Sequence, residues 1–214
     1  FYITTGTGFA THDAHWITKN LCGDVQLVDV TSAFAVLSLM GPQARAVLER
    51  VCADDLTNAA FPFGRAQRIS VARCQVLALR VTYVGELGWE LHLPSEMAVT
   101  VYEALMAAGR DLGLVNAGYR AIETLRLEKG YRAWGSDIGP DHTPVEAGLT
   151  WAVKLKSGQP VKGRDALALQ QESGVKKRLA TFSVADPEVI LLGRETIYRN
   201  GERVGWLSSG GFGH

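Results

Sequence analysis

No long hydrophobic run is present in this sequence. The longest candidate, Ala33 to Met40, has eight residues and is interrupted by Ser38, far below the ~18–20 that a membrane span needs. An excess of one charge is missing too, since 22 basic residues stand against 22 acidic ones. Without a basic stripe to displace counterions, neither nucleic acid nor a polybasic contact with a membrane is expected as a partner. Cysteine is scarce: Cys22, Cys52 and Cys74 are an odd count with no C-x-x-C spacing, which speaks against a disulfide framework or a zinc knuckle. All three read as small buried hydrophobes in a reduced compartment, bacterial cytoplasm or an organelle matrix such as that of the mitochondrion. Gly6-Thr-Gly8 lacks the third glycine and the following acidic residue of a dinucleotide fingerprint, so FAD is not expected to bind by that route. An initiator Met and a secretory n-region are also absent, and the sequence opens at Phe1 inside an apolar, β-like run. The expectation is a piece of a longer protein.

What is present is ordinary for a soluble globular chain: 47% hydrophobic and 21% charged residues over 214 positions, enough for one large domain or two modest ones. Phe1–Thr5, Val25–Val30 and Ala35–Met40 read as strands, with a helix between the first two in which Ala14, Ile17 and Leu21 recur at helical spacing. Gly41-Pro42 opens a helix whose stripe is Ala44, Val47, Leu48 and Val51. A β-rich block covers Gln67 to Leu93. Ser95 is placed to cap a helix with Ala98, Val101, Tyr102 and Leu105 inward, and a further helix runs from Ala117 to Lys129 with Gly130 at its C′ position. Residues 131–149 are turn-rich. A strand over Trp151–Leu155, a helix over Gly163–Glu172 and two strands meeting at Asn200-Gly201 complete the pattern. Antiparallel strands interleaved with helices define an α+β chain.

The chemistry concentrates in Leu77–Leu93. If Gly85-Glu86-Leu87-Gly88 is a four-residue loop, Tyr83 pairs with Glu90, and Glu90 and His92 project from the face that holds Leu77, Leu79, Val81 and Tyr83. Trp89, Leu91 and Leu93 then fill the opposite face, as in a sheet covered on both sides. A carboxylate on a covered face needs a partner. Either Glu90 answers an internal arginine, Arg80 or Arg126, or it accepts two parallel N–H bonds from a planar ligand with the Tyr83 phenol beside it. Glu86 reads as a solvated loop residue. Other constellations are weaker. His12 and His15 have i, i+3 spacing but no third ligand, and Asp137, Asp141 and His142 around Gly139-Pro140 read as a turn, so no metal is expected. Tyr119, Tyr131 and Trp134 read more as core than as channel wall.

Three segments carry a resemblance: Tyr83-Val-Gly-Glu-Leu-Gly-Trp-Glu90, Gly118-Tyr-Arg-Ala-Ile-Glu-Thr-Leu-Arg-Leu-Glu-Lys-Gly130 and Thr143-Pro-Val-Glu-Ala-Gly-Leu149. In this order and spacing the sequence resembles the folate-binding domain of the glycine-cleavage T-protein (aminomethyltransferase) superfamily. Asn116–Ala121, Glu128–Arg132 and Val161–Leu167 are similar to the branch fused behind a flavin domain in sarcosine and dimethylglycine dehydrogenases. The resemblance implies antiparallel sheets with packed helices, a folate-binding domain over 1–155 and the start of a C-terminal β-barrel over 156–214. It implies tetrahydrofolate as cofactor, held through Tyr83 and Glu90. An amine-derived iminium would be the second substrate, and FAD would enter only through an upstream flavin domain of the parent protein.

Two departures accompany it. A folate-contacting arginine of T-protein aligns with Ile122, and Arg120 lies about 200° away around the helix. The family's key aspartate falls in the segment that precedes the strand matching Phe1–Thr5, while Asp13 and Asp24 follow it and read as surface residues, so no catalytic residue is assigned within the chain. The expected function is one-carbon transfer to tetrahydrofolate as part of a longer parent. The alternatives are a regulatory module of the same fold, like the relative linked to pyruvate dehydrogenase phosphatase, or a glycine-cleavage aminomethyltransferase.

Overall fold

A computed structural model describes residues 1–213, so His214, the last residue of the expected barrel segment, lies outside the described residues. The chain divides into two units. The first holds residues 1–39, 45–80 and 89–112, and the second holds 40–44, 81–88 and 113–214.

In the first unit, α1 (Ala10–Asn20) precedes β1 (Phe34–Met40) and α2 (Ala44–Glu49), followed by β2 (Ala66–Val71), β3 (Cys74–Leu79), β4 (Gly88–Pro94) and α3 (Ala98–Gly109). The strands form one sheet in the order β1-β4-β3-β2. Register explains the core. Ile69 faces Val76, Val71 faces Cys74 and Ala78 faces Leu91 across antiparallel ladders. With a side-chain period of two, these residues share one face with Trp89 and Leu93, and every one of them is buried. Val47, Leu48, Leu56, Phe61, Val101 and Leu105 complete that core. Of the α2 stripe expected from Ala44, Val47, Leu48 and Val51, the first three are buried, whereas Val51 lies past the end of the helix and is partly exposed. The opposite sheet face, with Arg68, Gln75, Leu77, Leu79 and Glu90, is only partly covered.

Several expected elements differ. Phe1–Thr5 and Val25–Val30 have no strand pairing, and the Ser95 hydroxyl donates to the Ser32 carbonyl instead of capping α3, which begins after a short 3-10 turn. β-Branched composition favours a strand only where a partner edge is available. Cys22 is exposed, against the expectation of three buried thiols, while Cys52 and Cys74 are buried and burial pushes both thiols above their ordinary pKa.

The hairpin register is the largest correction. Leu79, not Tyr83, faces Glu90, so the connection runs from Arg80 to Leu87. The cause is Arg80. Its guanidinium lies over the Trp89 ring at 5.7 Å and donates to the Phe61 carbonyl at 2.5 Å and to Asn58 Oδ1 at 2.7 Å. Its backbone amide donates to the Arg65 carbonyl. Those bonds draw the chain out of the ladder four residues early. Because four is even, Glu90 and His92 keep the expected face with Leu77 and Leu79.

In the second unit, α4 (Tyr119–Glu128) and α5 (Arg164–Ser173) precede a hairpin of β5 (Thr196–Arg199) and β6 (Glu202–Trp206) turning at Asn200-Gly201. α4 ends in a Schellman motif. The Tyr131 amide donates to the Arg126 carbonyl and the Gly130 amide to the Leu127 carbonyl, both at 2.9 Å, with Gly130 at φ +71° as the motif requires. Where a strand is expected over Trp151–Leu155, a 3-10 turn over Thr150–Ala152 runs into irregular backbone. β5 and β6 make an open two-stranded sheet; no closed barrel exists among the described residues. No helix among them is long and apolar enough to cross a membrane.

Candidate functional site

The segment Trp89-Glu90-Leu91-His92-Leu93 alternates two environments on one strand. Trp89, Leu91 and Leu93 are fully buried, which locks β4 against rotation. The guanidinium groups of Arg45 and Arg80, which share Asn58 Oδ1, lie 6.0 and 5.7 Å from the Trp89 ring centroid, with the Phe61 ring edge-on at 6.2 Å. Glu90 is thereby fixed at the backbone, and its side chain keeps 30% of its exposure. Within its unit no arginine or lysine pairs with it. Arg80 directs Nη1 to the Phe61 carbonyl and Nη2 to Asn58, and the internal ion pair between Glu90 and Arg80 does not form. Within its unit Glu90 meets His92, whose Nε2 stands 3.6 Å from Glu90 Oε2. His92 Nδ1 is 3.1 Å from the Tyr2 hydroxyl.

Tyr83 belongs to the second unit, in the connection that follows β3. Its hydroxyl donates to the Arg132 carbonyl at 3.0 Å, and its ring stacks on Tyr131 with centroids 6.0 Å apart and an interplanar angle of 11°. Burial pushes its phenol above the ordinary tyrosine value, and the ring stays 38% exposed. Gly85 sets the course of this loop. It sits at φ +82° and is pressed to the Lys129 stem so closely that a Cβ would lie 2.9 Å from Lys129 Cγ. The Schellman turn of α4 thus supplies both surfaces, Tyr131 and Lys129, on which the Tyr83 loop rests. Glu86 is exposed, as expected of a solvated residue.

The other arginine considered for Glu90 has its own commitments. Arg126 is 1% exposed. Its Nη1 donates to Asp137 Oδ2 at 2.5 Å and to the Tyr131 carbonyl at 3.0 Å, and its Nη2 to Ser209 Oγ at 2.8 Å and to Glu123. Asp137 also accepts from Ser208 Oγ at 2.5 Å, Ser209 Oγ at 2.7 Å and the Ala133 amide at 2.9 Å. Burial alone would raise the Asp137 carboxyl. The two hydroxyls, the amide and the Arg126 charge outweigh it and hold the group below its ordinary value. This is a structural network that uses both terminal nitrogens of Arg126 and leaves its Nε without a partner among the described residues, and it ties the segment around Ser208 to α4.

Of the remaining candidates, His12 and His15 lie exposed on α1, with His12 Nδ1 2.9 Å from Asp13 Oδ1. His142 Nδ1 accepts from the Gly139 amide at 3.1 Å, closing the turn. No group of three metal-ligating side chains exists among the described residues. Tyr119, read from sequence as core, is 91% exposed. Ile122 is half-buried on α4 and Arg120 is exposed. Sequence reasoning placed His92 on the Glu90 face but gave it no role, and Tyr2 carried no signal, because its contact with His92 spans 90 positions.

The comparisons with known proteins agree with one another. The family model of the GCVT N-terminal domain matches residues 1–157. The chain is 44% identical over 219 residues to mitochondrial sarcosine dehydrogenase of Homo sapiens, covering 100% of the chain and 23% of that protein. It is 38% identical over 217 residues to human mitochondrial dimethylglycine dehydrogenase, covering 100% of the chain and 25% of that protein. Among solved structures, the glycine cleavage system aminomethyltransferase T from Bartonella henselae superposes with a TM-score of 0.75 at 29% identity, covering 96% of this chain and 55% of that one. The chain thus spans about a quarter of the length of the dehydrogenases it matches.

Proposed function

The chain belongs to the family of the GCVT N-terminal domain, and from that premise we propose that it binds tetrahydrofolate and positions it for one-carbon transfer within a sarcosine dehydrogenase-like protein. The observation that carries this reading is the state of Glu90. A half-exposed carboxylate on a rigid strand, with no cation paired to it inside its unit, has unused acceptor capacity. The 2-amino group and adjacent ring N–H of a pterin form a two-donor edge that such a carboxylate receives bidentately. Tyr83, with an exposed ring fixed by Tyr131 and the Arg132 carbonyl, is the second pterin contact. Tetrahydrofolate supplies the two nitrogens that take up the carbon of an N-methyl-amine-derived iminium, releasing the demethylated amine and leaving 5,10-methylenetetrahydrofolate. No residue of the chain is assigned to proton transfer. Its contribution is to hold the pterin and exclude water. The domain division at 155/156 belongs to the same proposal, as does a flavin domain elsewhere in the protein as the source of the iminium. A mitochondrial matrix location is proposed by likeness to the human dehydrogenase, whose name places it in the mitochondrion; a bacterial protein of this kind would be cytoplasmic.

Calorimetric titration of the full-length protein with 5-formyltetrahydrofolate tests the assignment. Truncation of Glu90 to Ala leaves two ligand donors unpaired, a cost of about 2–4 kcal/mol, which is about 30- to 900-fold in Kd. Glu90→Gln turns one acceptor into a donor facing a donor and loses a comparable amount. Unchanged affinity in both variants refutes the reading.

A further inference from the structure

Glu90 has a neighbour with one unused polar atom. His92 is 1% exposed, yet its Nε2 has no hydrogen-bond partner among the described residues and stands 3.6 Å from Glu90 Oε2. The other ring nitrogen, Nδ1, is 3.1 Å from the Tyr2 hydroxyl, and the Tyr2 ring meets the imidazole edge-on at 5.5 Å and 85°. Phe34 backs Tyr2 in turn, with centroids 6.0 Å apart.

The proton positions follow from the donor inventory. An ionised carboxylate only accepts, and a neutral imidazole carries one N–H. With hydrogen on Nδ1, the buried Nε2 lone pair would oppose the Glu90 oxygen on the partly covered face, an arrangement with no donor between two acceptors. With hydrogen on Nε2, that N–H points at Glu90, and Nδ1 accepts the Tyr2 O–H. Both contacts are then donor to acceptor, and the second fixes the tautomer.

We propose that His92, held by Tyr2 with its proton on Nε2, is a positioning residue that orients the Glu90 carboxylate for the pterin edge. The proposal rests on the folate reading of Glu90. Oε2 lies 3.6 Å from His92 Nε2, and the partly exposed carboxylate keeps further acceptor sites for a two-donor ligand. The separation of 3.6 Å exceeds a hydrogen bond, so the free carboxylate is guided more than clamped, and ligand binding draws the pair together. The arrangement parallels the outer partners that orient a metal ligand, whose loss costs about 10- to 100-fold in affinity.

Five variants of the full-length protein, titrated with 5-formyltetrahydrofolate, test this. His92→Leu keeps the volume and removes the donor; about 10- to 100-fold weaker binding is expected. His92→Gln places an amide N–H near the Nε2 position and is expected to stay within about threefold of wild type. Tyr2→Phe frees the tautomer and is expected to weaken binding several-fold in the wild-type background and not at all in His92→Gln, whose donor needs no tautomer. Equal losses in His92→Leu and His92→Gln would make the residue merely structural and overturn the proposal. Unchanged affinity in His92→Leu alongside a large loss in Glu90→Ala overturns the positioning role alone. Unchanged affinity in Glu90→Ala removes the folate reading and this role with it.

Discussion

Replacing Asp137 by alanine tests whether the second unit is held by one buried ion network. In the folded chain this carboxylate receives Arg126 Nη1, two serine hydroxyls and the Ala133 amide. The Arg126 and Asp137 side chains are 1% and 6% exposed. Removing one partner of such a pair leaves a buried charge uncompensated, which costs about 3–5 kcal/mol. Arg126 retains Glu123, Ser209 and the Tyr131 carbonyl, so the lower end, about 3 kcal/mol, is expected. Urea unfolding followed by far-ultraviolet circular dichroism reads it. The double variant Arg126→Met/Asp137→Leu separates pairing from packing. Since an apolar pair of similar volume can replace a buried ion pair at little net cost, the double should be more stable than Asp137→Ala, not less. The sign of the pH effect follows from the carboxyl standing below its ordinary value in the folded state. Its stabilisation is therefore complete above the unfolded carboxyl pKa, roughly 4, and is lost as pH falls through the lower folded value. Asp137→Asn should remove that part of the acid sensitivity. A loss under about 1 kcal/mol in Asp137→Ala, or strict additivity in the double variant, would refute the network account.

Two further substitutions probe the supports of the candidate site. Gly85→Ala places a Cβ at φ +82° against the Lys129 stem. Left-handed backbone costs about 1–2 kcal/mol for a residue with a side chain, and the displaced loop should also weaken 5-formyltetrahydrofolate binding through Tyr83; a wild-type melting temperature and affinity would contradict both. Trp89→Ala empties a fully buried site beside Arg45 and Arg80 and should cost about 3–5 kcal/mol in denaturant unfolding. A loss below 1.5 kcal/mol, the range of a tolerated core swap, would mean that the two guanidinium groups do not depend on the indole.

Legibility followed the range of the forces involved. The α2 stripe through Leu48, α3, α4 with its Gly130 stop and the Asn200-Gly201 turn are local matters of period and backbone conformation, and all four are present. The unpaired segments Phe1–Thr5 and Val25–Val30 were misread because strand formation needs a neighbouring edge, which composition does not report. The β2–β3 turn at Ala72-Arg73 has positive φ at both residues without a glycine or asparagine to announce it. The Arg126–Asp137 network joins positions up to 83 residues apart, and no local pattern distinguishes Asp137 from the turn residues around it.

Glu90 shows how a wrong hairpin register can still assign a residue to the right face of a strand. The face on which a strand residue lies depends on parity alone, so a slip of four positions in the hairpin left Glu90 and His92 beside Leu77 and Leu79. Partner choice has no such protection. Arg80 is close in sequence and of the right charge, yet the Phe61 carbonyl, Asn58 and the Trp89 face offer it three contacts inside the core. A buried guanidinium is better satisfied by several fixed acceptors and a ring than by one half-exposed carboxylate. The same bonds that pull Arg80 inward lift the chain from the sheet and leave Glu90 without a cation in its unit. An acidic residue deprived of its nearest arginine by the packing of the core is available for a ligand, and that availability, more than the presence of a carboxylate, makes Glu90 the residue to test first.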